Sequence, residues 1–260
     1  MDPGTTALLA ILAGMLVGFA LGLVGGGGSI LAVPLLAYLV GVDSPHMAIG
    51  TGAMAVALNA AAGLAGHARA GNVRWPCALV FSVAGVAGAA IGAEAGKAFD
   101  GERLLALFGV LMIVVGIAMI RRRADRAQDD VRMTRANAPA MLVRLGPIGF
   151  GVGLLAGFFG IGGGFLIVPG LILAVGLPIT TAIGSSLVAV FALGATTAAS
   201  YSLSGLIDWP LIPWLAAGGV LGSILGRRLH RRLGACRDLL QRGFGALVVA
   251  IGGWVALQGL

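Results

Sequence analysis

Polar residues in this chain are gathered into short islands between long apolar runs. From Thr5 to Val40 the run is almost unbroken, and further runs cover about Pro45 to Gly66, Pro76 to Gly96 and Leu104 to Ile120. After the polar stretch Arg121 to Arg144 come Leu145 to Val175, Pro178 to Ser204, Pro210 to Gly226 and Leu239 to Leu257. Runs that are apolar on every side and near 20 residues long predict helices that cross a hydrocarbon layer about 30 Å thick. Strands of a membrane barrel would alternate polar with apolar positions, and these runs do not. The pattern therefore predicts an all-α polytopic membrane protein.

The first run is too long for one crossing: its 36 or so residues would measure about 54 Å as one straight helix at ~1.5 Å per residue. Gly25-Gly26-Gly27-Gly28 interrupts it, and Pro34 can open a new helix, because proline is tolerated in a first turn. Two short helices joined at a break are expected. The same device returns as Gly160-Ile161-Gly162-Gly163-Gly164, followed by Pro169. Other pairs recur at one common offset. Ala48-Ile49-Gly50-Thr51 answers Ala182-Ile183-Gly184-Ser185, His67 and Trp75-Pro76 answer Tyr201 and Trp209-Pro210, and Gly85, Gly88 and Gly92 answer Gly219, Gly222 and Gly226. Ordered correspondence over most of each half implies a duplicated fold, read as a membrane repeat over 1–120, an Arg-rich linker over 121–144 and a second membrane repeat over 145–260.

Charge fixes the expected orientation. The linker carries seven Arg against three Asp, and a second cluster runs from Arg227 to Arg237. Basic loops favour the cytoplasm, and both clusters, with Arg69 and Arg74, fall there only if each glycine-broken run turns back instead of crossing. Each half is then a re-entrant-type hairpin plus three crossings. An odd number of net crossings leaves the two halves inverted and both termini periplasmic, the plan of many secondary transporters.

Composition agrees with this and removes other classes. The 260 residues are 58% hydrophobic and only 10% charged, with a mean hydropathy of +1.02. The net charge of +7 sits in short loops with no interleaved aromatic residues, so no nucleic-acid partner is expected. Cys77 and Cys236 match no metal spacing, and the three histidines are scattered, so neither metal nor cofactor is expected. No nucleophile with a matching base and no acidic pair suggests an enzyme. The glycine runs lack the Lys-Ser/Thr ending of a phosphate-binding loop.

Broken helices at membrane depth must be shielded by protein or line a cavity. Two such breaks from inverted halves can meet near the midplane, with helix N-termini and glycine backbone offered to an anion. Gly26, Gly27, Gly28, Ser29, Gly162, Gly163 and Gly164 are the candidate binding segment. Thr51, Asn59, Ser185, Ser186, Thr196 and Thr197 are neutral side chains that could donate to an oxyanion, although Ser and Thr within helices often bond their own backbone instead. His67 and Glu94 are candidates for gating or ion coupling. His67 and Tyr201, at equivalent positions, are expected as interfacial anchors at the cytoplasmic end of a span. The spaced series Gly14/Gly18/Gly22, Gly149/Gly153/Gly157, Gly88/Gly92/Gly96 and Gly222/Gly226 are expected to serve helix packing.

The paired glycine motifs, the apolar halves and the Arg-rich centre together resemble the TauE/SafE family of sulfite exporters and related sulfur-anion permeases, also called the TSUP family, over nearly the whole chain. The resemblance implies a carrier of the bacterial inner membrane for sulfite or another small sulfur-containing organic or inorganic anion. The residues alone imply an anion-friendly transporter, with a passive small-anion channel as the alternative and a scaffold or sensor as a third class. The expected partners are that anion and the lipid bilayer. Coupling to H+ or Na+ and assembly as a homodimer stay open.

Overall fold

The computed structural model describes residues 3–121, 138–160, 162, 164–232 and 237–258. Helix α1 (Pro3–Val24) leads into a 3-10 turn (Gly25–Leu31), a short α2 (Ala32–Pro34) and a π-helical turn (Leu35–Val40). Three long helices follow: α3 (Pro45–Arg69), α4 (Trp75–Lys97) and α5 (Gly101–Arg121). The second half repeats the order with α6 (Ala138–Phe159), α7 (Gly164–Val175), α8 (Ile179–Leu203), a 3-10 turn (Trp209–Leu211) leading into α9 (Ile212–Arg232), and α10 (Arg237–Gln258). No strand occurs among the described residues. Seven helices there are long and apolar enough to cross a membrane, whereas the segments Gly28–Val40 and Gly164–Val175 are shorter. This is a multi-pass membrane protein.

The short segments turn back, as the arginine distribution required. Leu36 and Val40 pack with Ala10 and Ala13 of α1, while Gly28 lies against Ala20 and Leu21, so residue numbers rise along one arm as they fall along the other. In the second hairpin Gly170 of α7 faces Ile148 of α6 in the same reversed sense.

Three expectations about these hairpins are corrected. The return arm of the first starts at Gly25 as a 3-10 turn, not at Pro34, because a tight i→i+3 turn needs no proline to begin. In the second, α7 starts at Gly164 and Pro169 lies inside it, near enough to the N-terminus that few intrahelical bonds are disturbed. Helix α6 begins at Ala138, ahead of the expected Leu145; the Arg-rich segment 122–137 lies outside the described residues.

The long helices pair across the halves: α1 packs on α9, α4 on α6, α5 on α10 and α3 on α8. Exchanging the halves maps this set onto itself. A Cβ added at Gly14 or Gly18 would strike the backbone of Leu215 or Gly219, and one at Gly222 or Gly226 that of Met15 or Phe19. In the same way Gly88, Gly92 and Gly96 abut Phe150, Leu154 and Phe158, while Gly153 and Gly157 abut Gly85 and Ala89. Numbers rise together in both pairs, so α1 and α9 are parallel, as are α4 and α6. In α3 and α8 they run oppositely, from Gly50 beside Tyr201 to Gly63 beside Leu187. The outer faces carry exposed apolar side chains at helical spacing, such as Leu8, Leu12 and Leu16 on α1, which suits contact with lipid. Ser44 caps α3 by accepting from the Met47 N–H at 3.1 Å, with Pro45 in the first turn.

Because no side chain fits between these backbones, Gly18→Leu or Gly153→Leu should destabilise the protein by about 1–3 kcal/mol or more, seen as a lower melting temperature in detergent. Gly151→Leu, with nothing within 4 Å of its added Cβ, should leave that temperature unchanged.

Candidate functional site

The centre of the molecule is the antiparallel contact of α3 and α8, both 25 residues long, into which the two breaks are set. Gly162 has a left-handed φ of 63°, and its Cβ position lies 3.1 Å from Val56 of α3 and 3.7 Å from Gly194 of α8, both mid-helix residues. Gly160, at φ 65°, sits against Ile49. The first break packs on α7 and touches α8. It uses glycine differently, as part of a 3-10 turn over Gly25–Leu31. There the need is close approach: a Cβ on Gly28 would meet the backbone of Ala20 and Leu21.

Two hydrogen bonds, related by the exchange of halves, tie the ends of this centre. Thr51 Oγ1 accepts from the Asp208 N–H at 2.9 Å, and Ser185 Oγ accepts from the Arg74 N–H at 2.8 Å. Each hydroxyl on a central helix thus holds the loop that starts the next span of the other half. Both hydroxyls are fully buried, yet they sit at opposite ends of the α3–α8 pair. Ser186 donates to its own helix at the Ile183 carbonyl, 2.8 Å away. Thr196 and Thr197 likewise donate to Ala192 and Leu193, as expected of hydroxyls inside helices.

Asn59 differs from these. Only 4% exposed, its amide has neither its nitrogen nor its oxygen paired. It lines a small cavity with Ala13, Gly14, Val17, Ala32, Leu36, Ala55 and Leu215, in the crotch of the first hairpin just past the break. At the Lys97 end of the bundle a polar cluster joins α4 to α8. Glu94 pairs with Lys97 at 2.8 Å and accepts from Ser200 at 2.8 Å, while Lys97 donates to Ser204 at 2.9 Å.

The sequence profile described as Sulfite exporter TauE/SafE matches residues 10–255 of this chain. The chain belongs to the sulfite exporter TauE/SafE family. It is 47% identical to a probable membrane transporter protein of Xylella fastidiosa strain Temecula1, over 94% of this chain and 92% of that one. It is 27% identical to the probable membrane transporter protein YunE of Bacillus subtilis, over 86% and 90%. A probable membrane transporter protein of Haemophilus influenzae is 29% identical over 95% and 97%. No solved structure matches. Family membership indicates a membrane transporter.

Within this TauE/SafE fold, the candidate residues divide. Gly26, Gly27, Gly28 and Ser29 lie in the first break, and Gly162 and Gly164 at the second; Gly163 lies outside the described residues. Asn59 joins the first hairpin, whereas Thr51, Ser185 and Ser186 are engaged in structural hydrogen bonds. His67 is half-buried near the Arg69 end of α3, and Glu94 is exposed within its ion pair near the other. Tyr201 is corrected outright. It is fully buried and packs on Gly50 near the start of α3, at the opposite end from His67, because α3 and α8 are antiparallel. Lys97 was not among the candidate residues, although the repeat places a second basic residue, Arg231, at the equivalent position.

Removing either cross-half acceptor leaves a loop N–H without its partner. Thr51→Val and Ser185→Ala should each lower unfolding stability by about 1 kcal/mol. Their effects should add in the double variant, because the sites lie far apart, as thermal unfolding of the three proteins would report.

Proposed function

We propose that this chain is a secondary transporter that moves sulfite or a related small sulfur-containing anion, organic or inorganic, across the bacterial inner membrane. The reading is carried by the place of the two breaks: the first packs on α7 and touches α8, and Gly162 at the second lies between the middles of α3 and α8. Broken helices are tolerated at that depth where they are shielded or line a path. The N-terminus of α7 offers unpaired N–H groups to an anion there. The antiparallel course of α3 against α8 supports an inverted repeat over 1–120 and 145–260. The central linker over 121–144 is assigned to the cytoplasm and both termini to the periplasm, following the positive-inside tendency of its arginines.

The moving parts in alternating access are not the halves themselves. Backbone-to-backbone packing locks α1 to α9 and α4 to α6, so each rigid body mixes helices of both repeats. The two bodies shift against each other across α3 and α8, exposing the breaks first to one side and then to the other.

Purified protein in proteoliposomes should take up labelled sulfite with saturation and with exchange between internal and external substrate; flux that rises linearly with concentration would instead mark a passive channel. Gly162→Ala forces a Cβ into a left-handed conformation that disfavours it by about 1–2 kcal/mol. Together with Gly28→Leu it should abolish uptake per folded molecule, whereas full activity in both would reject the breaks as the site. A C-terminal reporter found in the cytoplasm would reject the orientation.

A further inference from the structure

We infer that the transport site is built from neutral donors alone and therefore selects singly charged anions over doubly charged ones, with Asn59 as the side chain that holds them. The inference rests on the transport reading above and names its substrate class. Every buried polar side chain among the described residues is uncharged: Ser29, Thr51, Asn59, Ser82, Ser185, Ser186, Thr197 and Ser223. Glu94, which is exposed, and Lys97 neutralise each other near one end of the bundle. Ser82, Ser186, Thr197 and Ser223 donate to carbonyls of their own helices, whereas Thr51 and Ser185 accept from loop N–H groups and keep their own O–H as a neutral donor.

Asn59 alone among the described residues keeps both polar atoms of one side chain buried and unpaired. Tyr201 Oη and His46 Nδ1, also without a partner, belong to the Lys97 end. An unpaired buried amide is a standing penalty that a ligand relieves. Its two N–H groups can donate to an oxyanion, and the cavity beside it, about 10 Å³ in this conformation and so closed to an anion until the two bodies shift, is otherwise walled by aliphatic side chains and glycine. Removing an ion from water costs more as the square of its charge, so a site of neutral donors takes a monoanion at a lower desolvation cost than a dianion.

The duplicated fold shows that packing does not require this amide. Asn59 rests on Gly219 of α9, and at the equivalent place in the other half Leu193 rests on Gly85 of α4. The same niche thus holds an isobutyl group on one side and an amide on the other. Asn59→Leu should accordingly fold. Gly219→Ala should displace the amide, since the added Cβ would overlap its side-chain atoms.

The test is labelled sulfite uptake, below neutral pH where the monoanion hydrogensulfite predominates, by proteoliposomes of the full chain, challenged with methanesulfonate as a monoanion or sulfate as a dianion. Methanesulfonate should compete at least about tenfold better than sulfate, and Asn59→Leu should raise the KM for sulfite about tenfold while leaving the melting temperature unchanged. Asn59→Gln should recover part of that loss, and Gly219→Ala should raise KM without the full defect. Equal competition by sulfate, or an unchanged KM in Asn59→Leu, would overturn the inference while leaving transport standing. A wild-type protein that moves none of these anions would overturn the transport reading and this inference with it.

Discussion

Backbone touching backbone is the constraint on which this structure depends. Lipid tails are as apolar as leucine, so helices in a bilayer gain little by hiding apolar side chains from their surroundings and associate through close packing instead. Here that packing is made by glycines facing carbonyl groups along α1 and α9 and along α4 and α6. Because each pair joins helices of different halves, the duplication is interlocked and not merely juxtaposed.

The interlock leaves α3 and α8 as the shared axis. Their small residues let the broken hairpins reach the middle of the bundle, as at Gly162 between Val56 and Gly194. The Thr51 and Ser185 hydroxyls then fasten the two ends of that axis to loops of the opposite half. What is left inside is a low-dielectric space with dipoles but no buried charge among the described residues.

Much of this was legible in the chain. The apolar runs announced the spans, the spaced glycines their packing faces, and the loop arginines made the glycine-broken segments turn back. The fixed partners of the hydroxyls were not legible: Thr51 and Ser185 accept from loops of the opposite half and Ser186 donates to its own helix, contacts that only the tertiary packing sets. Tyr201 was misread for a related reason. Equivalence within a repeat says nothing about which end of the molecule a residue occupies until the relative direction of the repeats is known.

By itself the sequence determined the all-helical membrane fold, the duplication and the two breaks, because each is written in local hydrophobicity, glycine content and period. Only the tertiary structure decided which helices pair across the halves, that the first break is a tight turn while the second uses left-handed glycine, and that Asn59 is left unpaired beside a cavity. Those features depend on contacts between residues far apart in the chain, where neighbouring backbones, and not local propensity, decide which polar groups find a partner.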